Sequence, residues 1–129
     1  MVRLSLAAAL ALIAVPTAAA PGKADREALA AARPIGAPVD CVQIRQIRDT
    51  RVRSDSVIDF VMNNNRVFRN TLPRSCPRLG FQRAFSYRTS LSQLCSVDII
   101  TVIDNVGGGL RPGPSCGLGK FQQVSGVKR

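Results

Sequence analysis

Four cysteines, at positions 41, 76, 95 and 116, stand in a chain that has no histidine at all. No two of them form a Cys-x-x-Cys pair, so the ligand spacing of a structural zinc site is absent. The N-terminus reads MVRLSLAAALALIAVPTAAAPGK, with one charge at Arg3, an apolar run from Leu4 to Val15, and small residues at Ala18 and Ala20. That is the pattern of a secretory signal peptide over residues 1–20, too short and wrongly flanked for a membrane span. An exported chain meets an oxidising compartment, where an even number of cysteines can pair completely. Two disulfides are therefore expected, in a periplasmic or secreted protein with no stable membrane span after signal cleavage. The first cysteine is Cys41, well beyond the cleavage region, which argues against a lipid anchor.

Without the signal, roughly a hundred residues remain, enough for one domain with a modest core that covalent staples would help to hold. Residues 21–40, PGKADREALAAARPIGAPVD, are rich in alanine and proline and offer little to bury. A short helix from Asp25 to Arg33, stopped at Pro34, would be marginal in isolation, so a flexible leader is expected here. The folded domain should run over residues 41–121. Residues 122–129 read as a frayed basic tail.

Within the domain, CVQIRQIRDTRV from Cys41 suits a strand with a kink near Gln46, its β-branched content favouring strand over helix. The runs SVIDFVM and RVFRNTL flank Asn63-Asn64-Asn65 and make the clearest hairpin. A three-residue loop pairs Phe60 with Phe68 and Ile58 with Asn70. It puts Ile58, Phe60, Met62, Phe68 and Leu72 on one face, leaves Val57, Asp59, Val61, Val67, Arg69 and Thr71 on the other, and asks for a left-handed residue at Asn65. Pro73 ends that strand. A fourth strand is expected over Phe81–Thr89, then one helical turn from Ser90 or Ser92 through Leu94, and a fifth strand over IITVID at 99–104. A mobile loop is expected at 105–115 and a last strand at Cys116–Phe121. Leu79, Phe81, Phe85 and Tyr87 are the expected core anchors of the middle stretch.

These elements give an all-β fold, a six-stranded antiparallel barrel or sandwich. If successive strands alternate in direction, Cys41 and Cys95 fall at one end and Cys76 and Cys116 at the other, which predicts the bridges Cys41–Cys95 and Cys76–Cys116.

The formal charge is +10, and fifteen of the eighteen basic residues are arginine. Ten arginines lie between Arg45 and Arg88, against only Asp49, Asp55 and Asp59, so the excess belongs to the domain. Such a surface attracts anions, although arginine excess can also be purely compositional. Arg45, Arg48, Arg66, Arg69 and Arg88 are the candidate anion-binding residues, with Tyr87 or Phe85 as a stacking surface. Few aromatics are left over from the core, so nucleic acid is a poor candidate partner. An acidic glycan, a lipid head group or another exported protein fits better.

Without histidine, Ser-His-Asp and Cys-His sites are impossible. Glu27 is the only glutamate and lies in the leader. Asp98 and Asp104 flank one strand about 20 Å apart, too far for one acid/base pair. Asp98 is expected to hold the turn after Cys95. Gly119-Lys120 does not make a phosphate-binding loop, because Pro114 stands where the first glycine is required and Phe121 where Ser or Thr is. No catalytic residue, cofactor or metal is expected.

The stretches RNTLPRSCPRLGF (Arg69–Phe81), AFSYRTSLSQLCSVDIITV (Ala84–Val102) and SCGLGKF (Ser115–Phe121) resemble an uncharacterised family, a domain of unknown function, of small exported four-cysteine proteins of Gram-negative bacteria. The resemblance implies secretion and the four-cysteine pattern, and implies no activity. The leading expectation is a non-catalytic exported β-domain that binds an anionic envelope partner through an arginine-rich face. The alternatives are a regulatory or inhibitory module docking through the 105–115 loop, and an enzyme using Asp98 with Arg88 as an electrostatic clamp.

Overall fold

A computed structural model describes residues 12–13, 20–105 and 107–128. The expected signal peptide lies almost entirely outside the described residues. In chain order the elements are helix α1 (Lys23–Ala31), strands β1 (Arg33–Pro34) and β2 (Cys41–Gln43), a 3-10 turn (Ile44–Gln46), β3 (Ile47–Val52), β4 (Val57–Met62) and β5 (Val67–Thr71). Helix α2 (Leu79–Gln82), β6 (Phe85–Tyr87), β7 (Gln93–Cys95), β8 (Ile99–Asp104), β9 (Arg111–Gly117) and β10 (Phe121–Ser125) follow. A five-stranded antiparallel sheet in the order β1-β10-β5-β4-β3 packs on a three-stranded sheet, β6-β8-β9, and on the pair β2-β7. The fold is all-β and a sandwich, not a closed barrel, because the sheets end in free edges at β3 and β9.

The core fills the space between the sheets. Ile58, Phe60, Met62 and Leu72 from the hairpin meet Leu94, Ile100, Val102, Leu79, Leu118 and Phe121. Phe60 contacts Phe121 edge-on at a centroid distance of 5.4 Å and Phe85 at 6.3 Å. Both expected disulfides are formed, Cys41–Cys95 and Cys76–Cys116. Cys41 sits directly opposite Cys95 in the β2-β7 pair, and Cys76 anchors the loop after β5 to β9.

The hairpin follows its sequence reading: Phe60 pairs with Phe68, Ile58 with Asn70, and Asn65 is left-handed at φ 65°. The kink near Gln46 is the 3-10 turn, which carries the chain from the β2-β7 pair into the large sheet.

Several expectations are corrected. Among the described residues there are ten strands, since two of the six expected are divided between sheets and β1 and β7 are added. The first splits into β2 and β3; the last becomes β9 and β10. The leader is not flexible: α1 buries Asp25 and Ala28, and β1 pairs with β10. Residues 122–129 are not a frayed tail over their described length, because β10 is hydrogen-bonded between β1 and β5 and Val124 and Val127 are buried. Much of the 105–115 segment is strand, not loop; Pro112 and Pro114 are tolerated because β9 is an edge. The expected strand over Phe81–Thr89 shrinks to β6, since Leu79–Gln82 forms a helical turn that leaves Phe81 71% exposed and outside the core. Asp55 anchors that turn by accepting a 2.7 Å bond from the Gly80 amide. The expected helical turn before Leu94 is instead a bend, in which Thr89 Oγ1 donates to the Gln93 carbonyl at 3.2 Å, and β7.

Two close approaches complete the packing. Buried Asn70 bonds both backbone groups of Gly119, donating to its carbonyl at 2.7 Å and accepting from its amide at 2.8 Å. A side chain on Gly119 would put a Cβ 2.2 Å from the Thr71 carbonyl oxygen, so only glycine allows β9 to cross into β10 there.

Candidate functional site

The Asn63–Asn65 loop and the 3-10 turn lie together at one end of the large sheet. The Asn63 amide donates to the Gln46 carbonyl at 2.8 Å, and Asn63 Nδ2 donates to the Arg45 carbonyl at 3.2 Å. Asn64 Oδ1 accepts from the Arg66 amide at 3.1 Å, a local turn bond of the kind asparagine favours. Arg48 reaches over the loop and donates to Asn65 Oδ1 at 3.0 Å. Between Ile47 and Asp49 the pairing with β4 shifts register, and Arg48 occupies the shifted position.

Arg45, Arg48 and Arg66 are thereby gathered on one exposed end, and none of them makes an ion pair among the described residues. The nearby carboxylate of Asp49 is paired with Arg51 at 3.0 Å. Guanidiniums without carboxylates leave a local positive potential reaching about 10 Å into solvent at moderate salt. Their planar forks suit bidentate contact with phosphate, carboxylate or sulfate.

The other two candidate arginines lie elsewhere. Arg69 is turned into the fold, where Nε donates to Asp59 Oδ1 at 2.7 Å and Nη2 to Asp59 Oδ2 at 2.9 Å. Asp59 is fully buried and also accepts from Arg53 Nε at 3.0 Å. Arg53 extends to Asp25 of α1 at 3.2 Å, and Arg83 pairs with the second oxygen of Asp25. Arg69 and Arg53 also donate to the Ala28 and Lys128 carbonyls at 3.2 and 3.3 Å. This network ties the leader helix and the C-terminal segment to the outer face of the large sheet. Sequence reading missed it, although Asp59 inside the apolar run VIDFVM was a signal: a carboxylate buried in a strand needs cationic partners.

Arg88 borders a shallow cleft of about 380 Å³ on the three-stranded sheet, lined also by Ser86, Tyr87, Val97, Asp98, Ile99 and Thr101. Asp98 holds the turn as expected, accepting from the Cys95 amide at 2.7 Å through Oδ2. The cleft therefore brings Tyr87, Arg88 and Asp98 together, a set able to hold a small polar group. The described residues include no helix long and apolar enough to cross a membrane. The two disulfides point to an oxidising compartment.

No family model, curated protein or solved structure matches the chain.

Proposed function

We propose that this chain is a non-catalytic exported binding domain, periplasmic or secreted, whose Arg45, Arg48 and Arg66 end engages an anionic component of the cell envelope. The observation that carries the proposal is the gathering of three exposed arginines without carboxylate partners at one end. Elsewhere in the fold, arginines such as Arg53, Arg69 and Arg78 are spent on aspartates. The disulfides and the sequence of residues 1–20 support export.

The test is retention on an immobilised polyanion across a salt gradient. The chain should bind at low salt and elute as salt rises, and replacing Arg45, Arg48 and Arg66 together by alanine should abolish retention with an unchanged melting temperature. Undiminished retention of the triple variant, or no retention of the parent, contradicts the proposal.

A second reading, docking of an exported protein, is favoured by Val97, 86% exposed, and Ile99 beside the Arg88 cleft. It predicts that the triple variant keeps its partner while Val97→Ser loses it in a pull-down.

A further inference from the structure

The arginine end includes a third segment. The Ile44 amide donates to the Ser92 carbonyl at 3.0 Å, which ties the 89–92 loop to the 3-10 turn that carries Arg45. Within that loop the Leu91 amide donates to Thr89 Oγ1 at 3.2 Å, and Thr89 Oγ1 bonds onward to the Gln93 carbonyl. These bonds hold a defined turn whose apex residue, Leu91, is 65% exposed between exposed Ser90 and Ser92. A single exposed leucine is unremarkable by itself. Here it shares one end of the molecule with three arginines that have no carboxylate partners.

Two loop tips carry exposed basic side chains around this exposed aliphatic apex. Charge complementarity is with phosphate-bearing head groups, and the leucine has a place between them in the acyl boundary.

We infer that Arg45, Arg48, Arg66 and Leu91 form a peripheral docking surface for an anionic lipid leaflet. The arginines lie over head-group phosphates and Leu91 enters the interface. This inference rests on the anion-binding reading above and narrows it to lipid.

The experiment compares two probes for the chain from Pro21 onward, which contains every described helix and strand. One is flotation with phosphatidylglycerol/phosphatidylethanolamine vesicles, beside phosphatidylcholine vesicles. The other is binding to soluble heparin. The expected result is binding to heparin and to the anionic but not the neutral vesicles, lost at about 0.5 M salt. Leu91→Ser should weaken vesicle binding at least about tenfold and leave heparin binding and the melting temperature unchanged. Arg48→Glu should weaken both by at least about fivefold. Heparin binding without vesicle binding, or vesicle binding indifferent to Leu91→Ser, overturns the lipid inference and leaves the anion reading standing. Equal binding to neutral vesicles overturns the lipid inference also. Binding to neither probe overturns both.

Discussion

The two faces of the five-stranded sheet are held by different physics. On the inner face, Ile58, Phe60, Met62, Leu72 and Phe121 pack against the smaller sheets, and both disulfides lie on that side of the structure. On the outer face, among the described residues, Val61, Val67 and Val124 meet Ala28, Ala32 and Val127, and Asp25, Arg53, Asp59, Arg69 and Arg83 add a network of ion pairs. Large apolar side chains stabilise by about 1.5–3 kcal/mol each when fully buried. Buried ion pairs return roughly what their desolvation costs, yet leaving one member unpaired is expensive. The inner face thus supplies stability, and the outer face sets where the helix and the C-terminal segment lie.

The contrast can be broken from either side. Phe60→Ala, at the centre of the inner face, should cost about 3–5 kcal/mol through lost burial and a residual cavity, seen as a large fall in the denaturant midpoint. Replacing Cys76 and Cys116 together by serine should cost about 4 kcal/mol, mainly by freeing the unfolded chain; a melt unaffected by reductant would contradict this. Asp59→Ala leaves Arg53 and Arg69 buried without their shared carboxylate and should cost about 3 kcal/mol. Asp59→Asn, which keeps hydrogen-bond acceptance, should recover part of that loss. Asp25→Ala removes the helix end of the network, but Arg83 is 55% exposed and can rehydrate, so about 1 kcal/mol is expected. A larger loss for Asp25→Ala than for Asp59→Ala would reverse the assignment of Asp59 as the hub.

The inner face was legible because its signals are local. Alternation and the Asn63–Asn65 loop predict the register of β4 and β5, and the same register sets Asp59 opposite Arg69. The disulfide pairing came out right even though β9 and β10 divide the last expected strand, because only the end at which each cysteine lies had to be correct. The outer face was missed because its cover is contributed from far away in sequence. Val57, Val61 and Val67 make the second face of the hairpin too apolar to stand in water, which asks for a layer above it without saying where the layer comes from. Nothing in the short run KADREALAA predicts docking by composition; its buried and half-buried positions, Asp25, Ala28 and Leu29, recur at helical spacing, and the small side chain of Ala28 permits close approach to the sheet. Gly126 permits the matching approach of the C-terminal segment, since a Cβ there would lie 2.7 Å from the Ala31 carbonyl oxygen.

Of the five candidate arginines four are exposed, and three of these, Arg45, Arg48 and Arg66, are gathered at one end. Arg69 was separable from them in sequence, because the register that faces it to Asp59 already assigns it a partner. Leu91 carried no such signal, since its place beside Arg45 depends on the bond from Ile44 to Ser92.

The central claim is that the leader is a packed layer of the fold. Native-state hydrogen exchange of the chain from Pro21 tests it most directly, because a nine-residue helix such as α1 is marginal alone and its amides are protected only if it is docked. The amides of Leu29, Ala30 and Ala31 should exchange at least about a hundredfold more slowly than in an unstructured peptide, and Asp59→Ala should speed them more than it speeds those of β8. Exchange of these three amides at free-peptide rates, with β4 and β5 still protected, would contradict the claim.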